Sequence, residues 1–221
     1  MHTWNLTETA ARELQEQLAK EIVLSPLDNP VEYIAGVDVA YAKTHDTVVA
    51  AAVVLNAVTL EVVEKSTANQ KVNFPYIPGL FSFRELPPVL EALRALVTQP
   101  QLIVCDGHGI AHPRRFGLAS HLGLLTDTPC IGCAKSPLLK FSAEVESARG
   151  QVAALQLNGE VVGNVLRTQT GVNPVYVSPG HKITLSESID WILRLSPEYR
   201  LPETTRQADQ LVNKALKEIN K

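Results

Sequence analysis

Apolar residues recur every fourth position along the first stretch of the chain, at Leu6, Ala10, Leu14, Leu18 and Ile22. That spacing predicts an amphipathic helix over residues 5–22, opened by a capping box of Asn5 and Glu8. The run Ser25-Pro-Leu-Asp-Asn-Pro30 breaks it. The period then changes. Residues 33–42 alternate and are rich in small and β-branched side chains. Residues 47–56 are nearly continuous Val and Ala, which predicts a strand buried on both faces. A third strand is expected over 60–68. The links between these three are short, so they are read as antiparallel neighbours.

A proline-rich loop at 73–79 leads into a helix over 82–97, with Pro87 and Pro88 expected near its first turn or at a kink. Residues 102–105 form the next strand. It is reached through a helix and should run parallel to an earlier strand. A short helix at 114–124 precedes a strand at 129–134. Two alternating runs, 152–157 and 161–166, flank Asn158-Gly159, a strong hairpin signal. A strand at 175–177 and helices at 184–195 and 204–219 complete the chain. No repeat or long linker divides it, so one domain over residues 1–221 is expected. Three antiparallel strands, a helix, then parallel strands alternating with helices predict an α/β fold. The order is that of the ribonuclease H-like mixed sheet flanked by helices.

Composition narrows the class. Of the 221 residues 45% are hydrophobic, enough for a full core. No apolar run reaches the roughly 18 residues of a membrane span, and the first residues lack the pattern of a secretory signal. A cytoplasmic protein without membrane contact is expected. The three cysteines fit a reducing compartment. Cys130 and Cys133 form a CxxC, but no second Cys/His pair stands at ligand spacing, so they read as small core residues. A net charge of −3 excludes a broad basic coat. It leaves room for nucleic acid held at a local site.

The chemistry lies in the acids. Asp38 interrupts an apolar strand, Ile34-Ala-Gly-Val-Asp-Val-Ala40, where a lone carboxylate is costly unless paired, protonated or metal-bound. Asp106 closes the strand that ends at Cys105 and opens DGHGIAHPRR, a run of glycines, histidines and arginines suited to a phosphate. If the two strands are parallel neighbours, the carboxylates meet at one edge and need a cation between them. Mg²⁺ takes oxygen ligands and keeps waters, one of which can act as nucleophile. Glu85 and Asp209 lie on helices, where each taken singly also fits a plain role as a helix-dipole partner or a solvated face.

Taken together, GVDVAY at 36–41, PYIPG with SFRE at 75–85, DGHGIAHPRRFGLASHLG at 106–123, IGCAK at 131–135, Gly180-His181 and RLPETTRQAD at 200–209 closely resemble the endonuclease V family. The motifs occur in the family's order from about residue 33 to 212, and the middle one is highly specific. The resemblance implies Asp38 and Asp106 as direct metal ligands, with Glu85 completing the site, often through water. It implies Mg²⁺ as cofactor, with Mn²⁺ able to substitute. It also implies Asp209 near the metal, and Lys135 and His112 near the scissile phosphate. Thr204 departs from the proline of many members, Cys133 from a usual aliphatic, and Phe81 from an aliphatic in the pocket.

The family's activity, carried over as an expectation, is metal-dependent hydrolysis of the second phosphodiester 3′ to inosine. It leaves a 3′-hydroxyl and a 5′-phosphate, in the service of DNA repair. Pro75, Tyr76, Ile77 and Pro78 resemble the family's wedge, a stiff tip offering flat or apolar surface to a gap in the base stack. Gly79, Phe81, Gly107 and Leu138 are candidates for the pocket of a flipped base, where Gly109 too is expected to allow close approach. Arg84, Arg114 and Arg115 are expected on phosphates, with His181 and Lys182 as further backbone contacts. His108 reads as a structural hydrogen-bonder. The expected partner is inosine-containing nucleic acid, DNA before RNA, bound by a monomer. Other readings of the same residues are a ribonuclease H-like nuclease of different structure or RNA specificity, a non-catalytic nucleic-acid-binding module, or a thiol hydrolase built on Cys105. The last is disfavoured because Cys105 and its neighbour Asp106 should face opposite sides of the sheet.

Overall fold

The computed structural model describes residues 2–42, 46–141 and 144–219. Eight strands share one sheet: β1 (Tyr33–Tyr41), β2 (Thr47–Asn56), β3 (Val62–Lys71), β4 (Leu102–Cys105), β5 (Cys130–Ala134), β6 (Val152–Leu157), β7 (Glu160–Leu166) and β8 (Val175–His181). Their spatial order is β3-β2-β1-β4-β5-β8-β7-β6. The first three are antiparallel and β4 and β5 are parallel to β1, as the link lengths predict. The last three add an antiparallel extension beyond β5.

Helices α2 (Phe81–Arg94) and α3 (Leu118–Thr126) cover one face. There Leu86, Val89, Ala119 and Leu122 pack on Ala35, Val37, Ile103 and Cys105. Helices α4 (Leu185–Leu195) and α5 (Glu203–Ile219) cover the other. Ile192 and Leu195 meet Ile34, Leu102 and Ile131, while Val212 and Ala208 lie against β2. Strand β2 is buried along its length apart from its two end residues, because helices press on both of its faces. Helix α1 (Glu8–Leu18) stands outside these layers. Its Ala11 joins Phe74, Leu80 and Phe83 in a separate apolar cluster beside α2.

Several boundaries differ from expectation. The cap of α1 is Thr7, whose hydroxyl accepts from the Ala10 amide at 3.2 Å, and not Asn5. Its tail tightens into a 3-10 turn at Ala19–Glu21. Strand β3 runs past residue 68 to Lys71 because β2 offers a partner to Thr47. Pro87 and Pro88 lie inside α2, beyond its first turn. Helix α3 starts at Leu118 because the preceding segment folds back on itself. Gly117 and Ala119 amides donate to the Gly109 and His108 carbonyls, each at 3.0 Å. The hairpin turns where expected, with Asn158 and Gly159 both at positive φ. All three cysteines are buried and free, which leaves the CxxC as core. Among the described residues no helix is long and apolar enough to cross a membrane.

Candidate active site

Parallel pairing of β1 and β4 places Val37 opposite Cys105. The next residues, Asp38 still within β1 and Asp106 just past the end of β4, therefore lie side by side toward the carboxyl edge of β4. Strand β5, with Gly132 opposite Cys105, brings Lys135 to the same edge. The Lys135 Nζ lies 2.5 Å from Asp106 Oδ2. Helix α5 crosses β1 at Gly36, where a Cβ would stand 2.2 Å from the Thr204 carbonyl carbon. Only glycine permits that approach. It carries Asp209 within electrostatic reach of Asp38 and Lys135. From the opposite face α2 supplies Glu85, which accepts from the Tyr41 hydroxyl at 2.7 Å. Cys105 points into the α2–α3 layer and stays apart from these groups.

The electrostatics follow from crowding. Burial, then the neighbouring Asp106, pushes the Asp38 carboxyl up to about 7. Burial likewise raises Glu85 to about 6, with the Tyr41 hydrogen bond opposing. Burial opposes the charge of Lys135, but Asp106, Asp38 and Asp209 outweigh it and raise its pKa. A carboxyl whose ionisation is suppressed by burial and by its neighbour, with an ammonium drawn in beside the pair, marks a site short of positive charge. The donors are all oxygen and suit a hard divalent cation. Among the described residues no three His, Cys, Asp or Glu side chains are placed to chelate one ion directly.

A cavity of about 340 Å³ opens beside the acids. Its wall contains all four expected pocket residues, Gly79, Phe81, Gly107 and Leu138, together with Asp106, Glu85, His108, His112 and Lys135. Gly109 does not reach it. A Cβ there would lie 2.1 Å from the Pro179 carbonyl oxygen, so this glycine lets the loop pack on β8. His112 is held neutral, its pKa lowered to about 4 by burial and by Arg114. Its Nδ1 accepts from the Arg114 amide at 3.2 Å and its Nε2 donates to the Gly79 carbonyl at 3.0 Å. His108 donates through Nε2 to the Ser136 carbonyl at 3.1 Å, a structural bond as expected.

The loop over Pro75, Tyr76, Ile77 and Pro78 ends in a type II turn. Leu80 donates back to Ile77 at 2.9 Å, and Gly79 takes φ 80°. Tyr76 is 66% exposed at the tip and rests on the Phe81 ring, 4.7 Å between centroids. Ile77 is tucked partly into the cluster of Phe74 and Leu80.

Within the protein the arginines expected on phosphates have the following partners. Arg84 donates to the Phe74 carbonyl at 2.7 Å and lies over the Tyr41 ring. Arg114 is bound to Gln15 and Gly79. Arg115 pairs with Glu160 of β7. Arg84 and Arg114 brace loops through part-buried carbonyls, whereas the Arg115–Glu160 pair lies at the surface. His181 and Lys182 sit at the far edge of the sheet, since His181 faces Cys130, the first residue of β5. Lys182 pairs there with Asp127 at 2.6 Å.

Three site-supporting residues escaped individual notice. Tyr41 holds Glu85. Arg200 donates to the Lys135 carbonyl at 2.7 Å and to that of Pro174 at 2.9 Å, fixing the backbone that carries the lysine. Gln15 is 1% exposed on α1, and a polar residue beside Leu14 on an apolar helix face was its only signal.

The family model described as endonuclease V matches residues 16–210. An endonuclease V from Streptomyces avermitilis is 52% identical over 217 residues, covering 97% of this chain and 95% of the relative. The crystal structure of that organism's endonuclease V superposes with a TM-score of 0.94 at 51% identity, covering 99% of this chain and 96% of the other. Endonuclease V of Ciona intestinalis, solved in complex with a 24mer DNA containing an inosine followed by a ribo-adenosine, superposes with a TM-score of 0.84. It is 30% identical, with 94% of this chain and 96% of the other covered. The chain belongs to the endonuclease V family.

Proposed function

We propose that the protein is a Mg²⁺-dependent endonuclease, with Mn²⁺ able to substitute. It would recognise inosine in nucleic acid, DNA first, and hydrolyse the second phosphodiester bond 3′ to it. The observation that carries the reading is the convergence of Asp38, Asp106, Glu85, Asp209 and Lys135 at one sheet edge. The same edge opens into a cavity walled by Gly79, Phe81, Gly107 and Leu138.

Asp38 and Asp106 would hold the divalent ion, with Glu85 and Asp209 reaching it through water. The ion would supply Lewis-acid polarisation of the phosphate and of a water. Lys135 offsets charge on the phosphoryl oxygens as it develops. The water oxygen bonds to phosphorus as the P–O3′ bond breaks; the water gives a proton to solvent and the departing O3′ takes one from solvent, which leaves a 3′-hydroxyl and a 5′-phosphate. His112, bound on both ring nitrogens, moves no proton and instead holds the Gly79 carbonyl. The loop of Pro75, Tyr76, Ile77 and Pro78 enters the stack, and the cavity receives the displaced base. Recognition and cutting use adjoining surfaces, in keeping with a cut displaced from the altered base.

The test is a cleavage map on end-labelled inosine duplexes and matched adenine duplexes, with Mg²⁺, Mn²⁺ or chelator. A single cut, offset 3′ to inosine and lost on chelation, is expected. Equal cutting of both duplexes, or cutting in chelator, overturns the reading.

A further inference from the structure

Helix α1 lies outside the sheet layers, yet it buries one amide against the loop that carries Tyr76. The Gln15 Nε2 donates to the Gly79 carbonyl at 2.9 Å and to the Phe116 carbonyl at 3.0 Å. Its Oε1 accepts from Arg114 Nε at 2.6 Å. Arginine only donates and carbonyls only accept, so the orientation of the amide is forced. Arg114 NH2 and His112 Nε2 reach the same Gly79 oxygen at 2.9 and 3.0 Å. One carbonyl thus takes three donors, from α1, from the histidine and from the arginine of the 106–117 loop. That carbonyl belongs to the only residue of the turn with positive φ, and a Cβ on it would meet the Arg114 guanidinium at 3.0 Å.

We propose that Gln15 is a positioning residue for recognition. With His112 and Arg114 it fixes the Gly79 peptide, and so sets the turn carrying Tyr76 and Ile77 at one height over the cavity. This rests on the wedge reading above and extends it to a helix outside the sheet layers. The clamp has a specific chemistry. Glutamate in its place would keep the acceptor for Arg114 but turn oxygen lone pairs toward two carbonyls. Methionine would fill the space and offer neither donor nor acceptor of strength. A residue that merely stabilised the fold would lose function in step with melting temperature. A positioning residue loses discrimination without that proportion.

The experiment compares the full chain with Gln15→Glu and Gln15→Met. Binding to inosine and matched adenine duplexes is measured in Ca²⁺, single-turnover cutting in Mg²⁺, and amide hydrogen exchange over residues 74–82 in the free proteins. Both variants are expected to bind the inosine duplex about tenfold more weakly, one net hydrogen bond's worth. The inosine-to-adenine binding ratio falls with it, and affinity drops more than the rate of the bound complex. Gln15→Glu, which sets a carboxylate against two carbonyls, is expected to melt below Gln15→Met while losing discrimination to the same extent. Exchange over 74–82 speeds up in both. Parental binding ratios, unchanged exchange, or losses that scale with melting temperature across the two variants overturn the proposal. A parent that cuts inosine and adenine strands alike overturns the proposed function instead, and exchange still decides whether Gln15 holds the turn.

Discussion

At Asp38 a carboxyl sits with its pKa near 7, raised first by burial and then by Asp106. The folded protein therefore holds a proton that the unfolded chain has released, and rising pH from about 4 to 7 reduces stability through this residue. Asp38→Asn removes that conflict. Metal-free Asp38→Asn is expected to melt about 2–4 °C above the parent at pH 8. Cutting in Mg²⁺ is abolished, while inosine DNA still binds in Ca²⁺. A variant that cuts, or one that melts lower at pH 8, contradicts this account of the residue. Tyr76 makes the complementary case. It is mostly exposed and rests on one ring, so its removal leaves the fold intact. Tyr76→Ala is expected to lower the inosine-over-adenine preference about tenfold, the worth of one base stacked on an aromatic ring. Competition binding checks it, and an unchanged preference sinks the wedge role.

Elements place these residues, and the contact of α5 with β1 is the tightest placement in the site. Gly36→Ala would force a methyl into the Thr204 backbone. It should destabilise the protein by about 3 kcal/mol, the upper range for overpacking. Cutting should fall as well, since Asp209 moves with the helix. Urea unfolding and the cleavage assay check both. This contact was not legible in the chain, because nothing local says which helix meets a given glycine. The meeting of Asp38 and Asp106 was legible. Asp38 interrupts one apolar run and Asp106 closes another, and the helix between the runs implied parallel neighbours. Element edges were misjudged where a distant partner decides them. Thr7 rather than Asn5 caps α1, β3 extends as far as β2 can pair, and α3 waits until Gly117 has turned back to Gly109. The protein partners that Arg84, Arg114 and Arg115 find in the fold were not legible for a related reason. A guanidinium serves a phosphate or a buried carbonyl equally well, and sequence does not say which carbonyls lie within reach.

Across the whole molecule, four histidines are kept from protonation, chiefly by burial: His108, His112, His121 and His181. Below pH 6.5 the unfolded chain takes up protons at these positions that the folded one refuses, so stability falls with falling pH. Asp38 and Glu85 act in the opposite direction, holding extra protons when folded. The histidines, acting together below pH 6.5, are expected to outweigh the two carboxyls. The metal-free protein is expected to unfold at lower urea at pH 5 than at pH 7, and His121→Phe should flatten the difference. A midpoint that rises on acidification would show that the carboxyls dominate.

The burial of Cys105, Cys130 and Cys133 has a practical side. Burial raises the Cys130 and Cys133 thiols well above the range in which thiolate forms, and Cys105 is as inaccessible as they are. Maleimide dyes should pass the native protein by. Tyr76→Cys would then furnish one reactive handle at the loop tip, and a fluorophore attached there would report in real time when that tip leaves water for DNA.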